Sequence, residues 1–263
     1  MDKKIFETPA EQPEAERYLG RVSRYEPMRA LRATALELLP VPPGGRALDM
    51  GCGLGDMARV LAGLVGPGGS VTAVDLSPAM VAAAQGKHLD APGAATVTYQ
   101  VGDVSTLERP QEFDVVWCER VLQHVPDPDA AMLNLTRALA PGGRLCVVDV
   151  DWGALVVDGV EEALTSRVLT AFQRKVAQPT IGRTLRRRFA RAGLADPALR
   201  AVTVISTVLA DAAAVTPVLD RRLSAHIPEA DRQAWFAALS AADERAEFMA
   251  AMPIYVAAAG RDR

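Results

Sequence analysis

Residues 46–56 read RALDMGCGLGD, and the succession of apolar, acidic and glycine positions in this stretch decides the fold. Ala47, Leu48 and Met50, with an acid at Asp49, form a short apolar run of strand character that breaks into three glycines at alternate positions, Gly51, Gly53 and Gly55. Residues 57–65, MARVLAGLV, then read as a helix. A strand, a turn of bare backbone and a helix start make a nucleotide cradle, because the open N–H groups and the helix dipole favour an anionic group. Glycine is needed where no side chain can stand between backbone and ligand, and where such a turn takes positive φ. Dinucleotide-binding turns carry G-x-G-x-x-G; the G-x-G-x-G spacing here, with an acid two residues ahead of it, points away from NAD.

Working outward, strand and helix patterns alternate for about a hundred residues, which calls for a parallel sheet covered on both faces. The second strand, SVTAVD at 70–75, ends in Asp75, placed where a doubly wound fold keeps its ribose-binding carboxylate. Two acceptor oxygens suit a pair of vicinal hydroxyls. The alternative, an acid capping the next helix, is weakened because Ser77 and Pro78 already supply an N-cap and a first-turn proline. A helix follows over 78–85, then a third strand over 96–101 that runs directly into Gly102, Asp103 and Val104. Asp103 is either an ordinary turn residue or a binding one. A fourth strand over 112–118 opens into Glu119, Arg120, Val121, Leu122, Gln123, His124 and Val125, and a helix over 130–139 stops at Pro141, Gly142 and Gly143 before a fifth strand over 144–150.

The sequence ALDMGCGLG closely resembles the first motif of class I S-adenosylmethionine-dependent methyltransferases, and RALAPGGRLCVVDVDW resembles that family's motif after the fourth strand's helix. With the acids after the second and third strands, four motifs occur in the family's order and spacing. The resemblance implies a Rossmann-like doubly wound α/β fold with a mostly parallel sheet of seven strands, N-terminal helices and a helical lid. It implies S-adenosyl-L-methionine as cofactor, held by Asp49, Gly51, Cys52, Gly53, Asp75, Leu76, Met80, Asp103, Val104, Cys118 and Glu119. In the family the glycine turn holds the methionine end, the acid at Asp103 accepts from the adenine amine, and the turn after the fourth strand lies beneath the sulfonium.

The flanks carry less motif content. Residues 14–39 read as two helices meeting near Glu26 and Pro27, so residues 1–40 are taken as a helical cap and 41–263 as the core, with helical insertions at about 152–195 and 211–245. A sixth strand fits 198–209. Phe248 to Gly260 fits a seventh, antiparallel and at an edge because Pro253 sits near its start. Arg183, Arg186, Arg187, Arg188 and Arg191 fall on a solvated helical face opposite Leu185, Phe189 and Ala192.

Composition bounds the function. Twenty-nine basic and thirty-two acidic residues give a net charge of −3, which does not suit a chain built to neutralise nucleic-acid phosphate. No apolar leader or membrane-length run is read, so a cytoplasmic protein with no membrane partner is expected, as monomer or homodimer. The three cysteines, Cys52, Cys118 and Cys146, lack metal-ligand spacing, and no metal is expected.

An activated sulfonium methyl asks mainly for alignment with an electron-rich atom, and proximity is worth roughly 7–11 kcal/mol. A hydroxyl, phenol or protonated amine acceptor also needs a base, worth ~10²–10⁴-fold. His124 is the first candidate, since an imidazole titrates near neutral pH; a histidine merely packed and bonded to backbone fits equally. Glu119 is the second and alternatively binds the cofactor's ammonium. Arg120 pairs with a carboxylate of cofactor or substrate, or with Asp127. His88 falls in a surface link and His226 beyond the sheet. Tyr18, Arg24 and Tyr25 close over the site, and Trp152, Phe172, Trp235, Phe236 and Met249 offer apolar walls. The expected acceptor is a small, partly hydrophobic metabolite of natural-product biosynthesis; a cyclase or rearrangement catalyst on the same fold is the alternative, and an NAD-dependent oxidoreductase is less favoured.

Overall fold

A computed structural model describes residues 12–87 and 91–262, so the expectation for His88 lies outside the described residues. Helices α1 (Gln12–Arg24) and α2 (Glu26–Glu37) meet at Tyr25, with Pro27 in the first turn of α2, where a missing N–H costs nothing. The alternating part follows as β1 (Arg46–Met50), α3 (Asp56–Val65), β2 (Ser70–Asp75), α4 (Pro78–Gly86), β3 (Thr96–Val101), β4 (Phe113–Glu119), α5 (Pro128–Ala138) and β5 (Leu139–Val150). Asp127 caps α5, accepting from the N–H groups of Asp129 and Ala130, so this helix starts two residues before its sequence reading. Beyond β5 come β6 (Val156–Asp158), α6 (Glu162–Gln173), α7 (Leu185–Arg191), β7 (Ala198–Ser206), α8 (Leu209–Val215), α9 (Glu229–Glu244) and β8 (Met249–Gly260).

The strand order is β3-β2-β1-β4-β5-β8, with β6 and β7 both paired to β8. All pairs among β1 to β5 are parallel, and β8 is antiparallel to β5, β6 and β7, so β8 alone runs in reverse. The described residues thus form an eight-stranded sheet where seven strands were expected. The addition is β6, three residues that continue the line of β5 along β8 and are too short to show a pattern of their own.

The last strand is not at an edge. Residues 250–258 pair with β7 along one side and 254–260 with β5 along the other. Pro253 is accommodated because β5 ends opposite Ile254 and β6 begins opposite Ala251. A strand residue's N and O point to the same side. The Pro253 carbonyl accepts from Asp151 N–H at 3.1 Å on the β5 side, so its missing N–H falls in the gap between the two strands.

Period-two alternation splits the core into two layers. Ala47, Val115, Trp117, Cys146 and Val148 face the layer that contains α1, α2, α3, α6, α8 and α9, whereas Leu48, Met50, Val116, Cys118, Leu145 and Val147 face α5 and α7. Both faces are covered, as parallel strands require. Ile254 is 0% exposed at the centre and Ile205 is 60% exposed on the outer strand. Ile254→Ala is therefore expected to cost ~2–5 kcal/mol in denaturant unfolding, and Ile205→Ala less than about 1 kcal/mol.

Candidate active site

The glycine turn closes at the C-terminal end of β1. Gly51 and Cys52 donate N–H bonds of 2.7 and 2.9 Å to the Val74 carbonyl, and Gly51, Gly53 and Gly55 take φ values of 80°, 51° and 76°. A Cβ on Gly51 would lie 2.1 Å from Val121 Cγ2, so the absence of a side chain here admits the turn after β4. Leu54 packs with Ala15, Leu19 and Met80, which lays α1 and α4 against the turn. Cys52 is buried, and dehydration together with Asp49 and Asp75 pushes its thiol pKa up, keeping it protonated.

Three carboxylates surround this turn. Asp49 is 2% exposed and its Oδ2 has no hydrogen-bond partner. Burial, then the charge of Glu119, raises its pKa to about 7, with Arg32 opposing. Glu119 is gripped by the Arg32 guanidinium, Nε at 2.8 Å and Nη2 at 3.0 Å. Both Glu119 oxygens are engaged by that fork, and the geometry argues against Glu119 as base. Arg32 was not singled out from the sequence: its partner is 87 positions away and α2 read only as packing.

Asp75 accepts from Gly53 N–H at 2.8 Å and from Ser77 N–H at 2.9 Å, while Ser77 Oγ accepts from Met80 N–H at 3.3 Å. Ser77, not Asp75, is the N-cap of α4, as its sequence reading has it, and each Asp75 oxygen still has a second lone pair for a hydroxyl donor. Burial raises the Asp75 pKa against these backbone donors. Leu76, 45% exposed, follows it, and Met80 is buried beneath. Asp103 accepts from Ser105 N–H at 2.8 Å and caps a short 3-10 turn, while the carbonyl of buried Val104 accepts from Asn134 Nδ2 at 3.0 Å. Cys118 is fully buried on the opposite face of β4 from Glu119.

The turn after β4 is held from several sides. Arg120, with φ of 58°, donates its N–H to the Val148 carbonyl at 2.7 Å. Gln123 accepts from Trp152 Nε1 at 2.6 Å, donates to the Arg120 carbonyl at 3.2 Å, and gives its backbone N–H to Asp149 Oδ2 at 3.2 Å. Neither Gln123 nor Asp149 was anticipated; the only signal was their place beside His124 and at the end of a strand. Asp149 is wholly buried, and dehydration raises its pKa to about 7. His124 does not titrate near neutral pH as expected: burial, then Arg120, lowers its pKa to about 4.

Other expectations are corrected by packing. Trp152 is 1% exposed and meets Phe172 edge-on at 5.2 Å, and Trp235 and Phe236 are likewise buried, so these aromatics are core rather than open pocket wall. Tyr18 is buried and donates to the Val215 carbonyl at 2.9 Å, Tyr25 bonds Ser206 Oγ at 2.8 Å, and Arg24 is exposed. Tyr18 alone of these three meets the β4 turn, through Arg120 Nη2. Asp127 serves α5, not Arg120. The arginine face is not uniformly solvated: Arg188 is 7% exposed and pairs with Asp129, as Arg191 does, and Arg183 pairs with Asp151.

A sequence model described as a methyltransferase domain matches residues 42–190. An uncharacterised 37.1 kDa protein in transposon Tn4556 of Streptomyces fradiae is 34% identical over 98% of this chain and 74% of its own length. The ubiquinone biosynthesis O-methyltransferase of Xanthomonas campestris is 38% identical over 46% of this chain, which spans half of that protein's length in the match. Among solved structures, the arsenic(III) S-adenosylmethionine methyltransferase of Chlamydomonas reinhardtii shares the fold, with a TM-score of 0.51 and 22% identity over 88% of this chain and 70% of its own.

Two titration experiments follow from the geometry. Between the ordinary carboxylate pKa of about 4 and the folded value of about 7, folded Asp49 holds more proton than unfolded Asp49, so its contribution to stability is full at low pH and is lost as pH rises through about 7. Asp49→Asn, a neutral mimic, is therefore expected to gain in melting temperature relative to wild type from about pH 6 to pH 8; a gap that shrinks with pH contradicts the raised pKa. For His124, the imidazole Cε1–H resonance is expected to show no inflection between about pH 5 and 8, whereas a midpoint near 6.5 contradicts its dehydration.

Proposed function

The chain belongs to the class I S-adenosylmethionine-dependent methyltransferase family, and from that premise we propose that it methylates an oxygen, nitrogen or carbon atom of a small, partly hydrophobic metabolite in natural-product biosynthesis. The observation that carries the reading is Asp49 Oδ2, a buried acceptor without a partner beside a turn of three left-handed glycines. A buried carboxylate oxygen left bare costs free energy until a donor reaches it. The cofactor's ammonium is such a donor, Asp75 with its free lone pairs suits the ribose hydroxyls, and Asp103 with the start of the Val104 turn suits the adenine edge. These residues fit S-adenosyl-L-methionine, which supplies an electrophilic methyl group when bound.

The chain's own part is to position and to exclude water. Arg32 holds Glu119 in place, and its charge partly offsets the rise in the Asp49 pKa that burial and Glu119 cause. Asp149 and Trp152 anchor Gln123, and through it the turn that carries His124. His124 is neutral at working pH, so it accepts a hydrogen bond from an acceptor hydroxyl and takes its proton only as the hydroxyl becomes acidic in the transition state. The named relative in ubiquinone biosynthesis supports oxygen as the methylated atom. A chain without a strong basic balance supports a small acceptor over nucleic acid. No helix of the described residues is long and apolar enough to cross a membrane.

Calorimetric titration with S-adenosylhomocysteine tests the cofactor assignment. Micromolar binding is expected for wild type, with Asp75→Ala weaker by at least about a hundredfold, since charged hydrogen bonds to two hydroxyls are worth ~1.5–3 kcal/mol each. Asp75→Asn, which retains one carbonyl acceptor, is expected to fall between. No binding by the folded wild-type chain overturns the reading. In turnover, a product heavier by one CH₂ supports methyl transfer, and an isomer of unchanged mass moves the chain to the cyclase alternative.

A further inference from the structure

We propose that Arg120, set against the Tyr18 hydroxyl, is a subsite for an oxyanion on the methyl acceptor, a carboxylate or a phosphate. The inference rests on the methyltransferase reading and deepens it by naming a feature of the substrate.

Arg120 is partly buried in the turn that follows β4. Its Nη2 donates to the Tyr18 hydroxyl, which in turn donates to the Val215 carbonyl, so the phenol oxygen is oriented to accept from the guanidinium. Its Nε is buried without a partner, and among the described residues no carboxylate reaches ion-pair distance of this guanidinium. Arg21, Arg32, Arg183 and Arg188 each hold a carboxylate instead. Asp149 feels the Arg120 charge, yet its two oxygens are taken by the N–H groups of Gln123 and Val150. A partly buried cation with an empty, buried donor is completed by an anion, and a planar guanidinium fork matches carboxylate and phosphate oxygens.

Adjacent in the chain, Glu119 and Arg120 take different partners. Glu119 turns to Arg32 and towards Asp49 and the glycine turn, whereas its neighbour Arg120 turns to Tyr18 of α1 and, through it, to Val215 of α8. Arg120 also keeps a left-handed φ of 58°, a conformation that an arginine rarely adopts and that a glycine at this position would relieve.

The test uses the full chain saturated with S-adenosylhomocysteine and titrated with benzoate, phenyl phosphate and the neutral control benzamide. At least one of the two anions is expected to bind at least tenfold more tightly than benzamide, and whichever arm is tighter identifies the oxyanion. Arg120→Gln is expected to abolish the anion preference while retaining S-adenosylhomocysteine affinity within about threefold. Arg120→Lys, which keeps the charge without the fork, is expected to retain part of the preference, and melting curves of both variants confirm that they fold. Equal binding of anions and benzamide, or no saturable binding of either anion, overturns the proposal. So does a tenfold loss of S-adenosylhomocysteine in Arg120→Gln with methylthioadenosine unaffected, because the guanidinium then serves the cofactor's own carboxylate. Failure of the wild-type chain to bind S-adenosylhomocysteine before any probe is added is read separately, as failure of the underlying function.

Discussion

The site depends on the contact between Gly51 and Val121. With Val121 Cγ2 standing 2.1 Å from where a Cβ would be, the turns that leave β1 and β4 come together only because residue 51 has no side chain. These turns belong to adjacent parallel strands, so the carboxylates they carry, Asp49 and Glu119, reach the same face of the sheet by period-two alternation. Two acids so close in a dry interior repel, and Arg32 from α2 is what makes the pair tolerable. The N-terminal helices are therefore part of the electrostatics of the site as well as its cover.

On the other face the same physics recurs with different partners. Asp149 projects into the layer of α5 and α7, and there backbone N–H groups, not an ion pair, satisfy its oxygens. Its bond to Gln123 and the bond from Trp152 to the Gln123 amide tie the end of β5 to the turn after β4. The turn is thereby rigid, and its dehydration is the reason His124 is neutral. A turn held in this way suits the proposed methyl transfer, in which alignment supplies most of the acceleration.

The helical segments beyond β5 were the least legible part. Trp152, Phe172, Trp235 and Phe236 read as pocket walls because aromatic residues in low-motif segments suggest ligand contact. In the fold they fill the interior between α6, α9 and the sheet, since large apolar side chains are drawn to whichever core is nearest. Arg188 shows the converse. A charge on a presumed solvated face is buried because Asp129 and Thr184 come from outside its helix to meet it.

The sequence by itself determined the parallel half of the sheet, the glycine turn, and the acids at the ends of the second and third strands. Each of these follows from local rules: strand alternation, helix caps, and positive φ that only glycine takes readily. Only the tertiary structure decided that Arg32 guards Glu119, that Pro253 sits in a central strand, that a three-residue strand completes the sheet, and that His124 is dehydrated. Those facts depend on partners tens of residues distant in the chain. Contact, burial and local dielectric are set by what packs alongside a residue, and that is fixed when the layers close, not by the order of residues along any one strand.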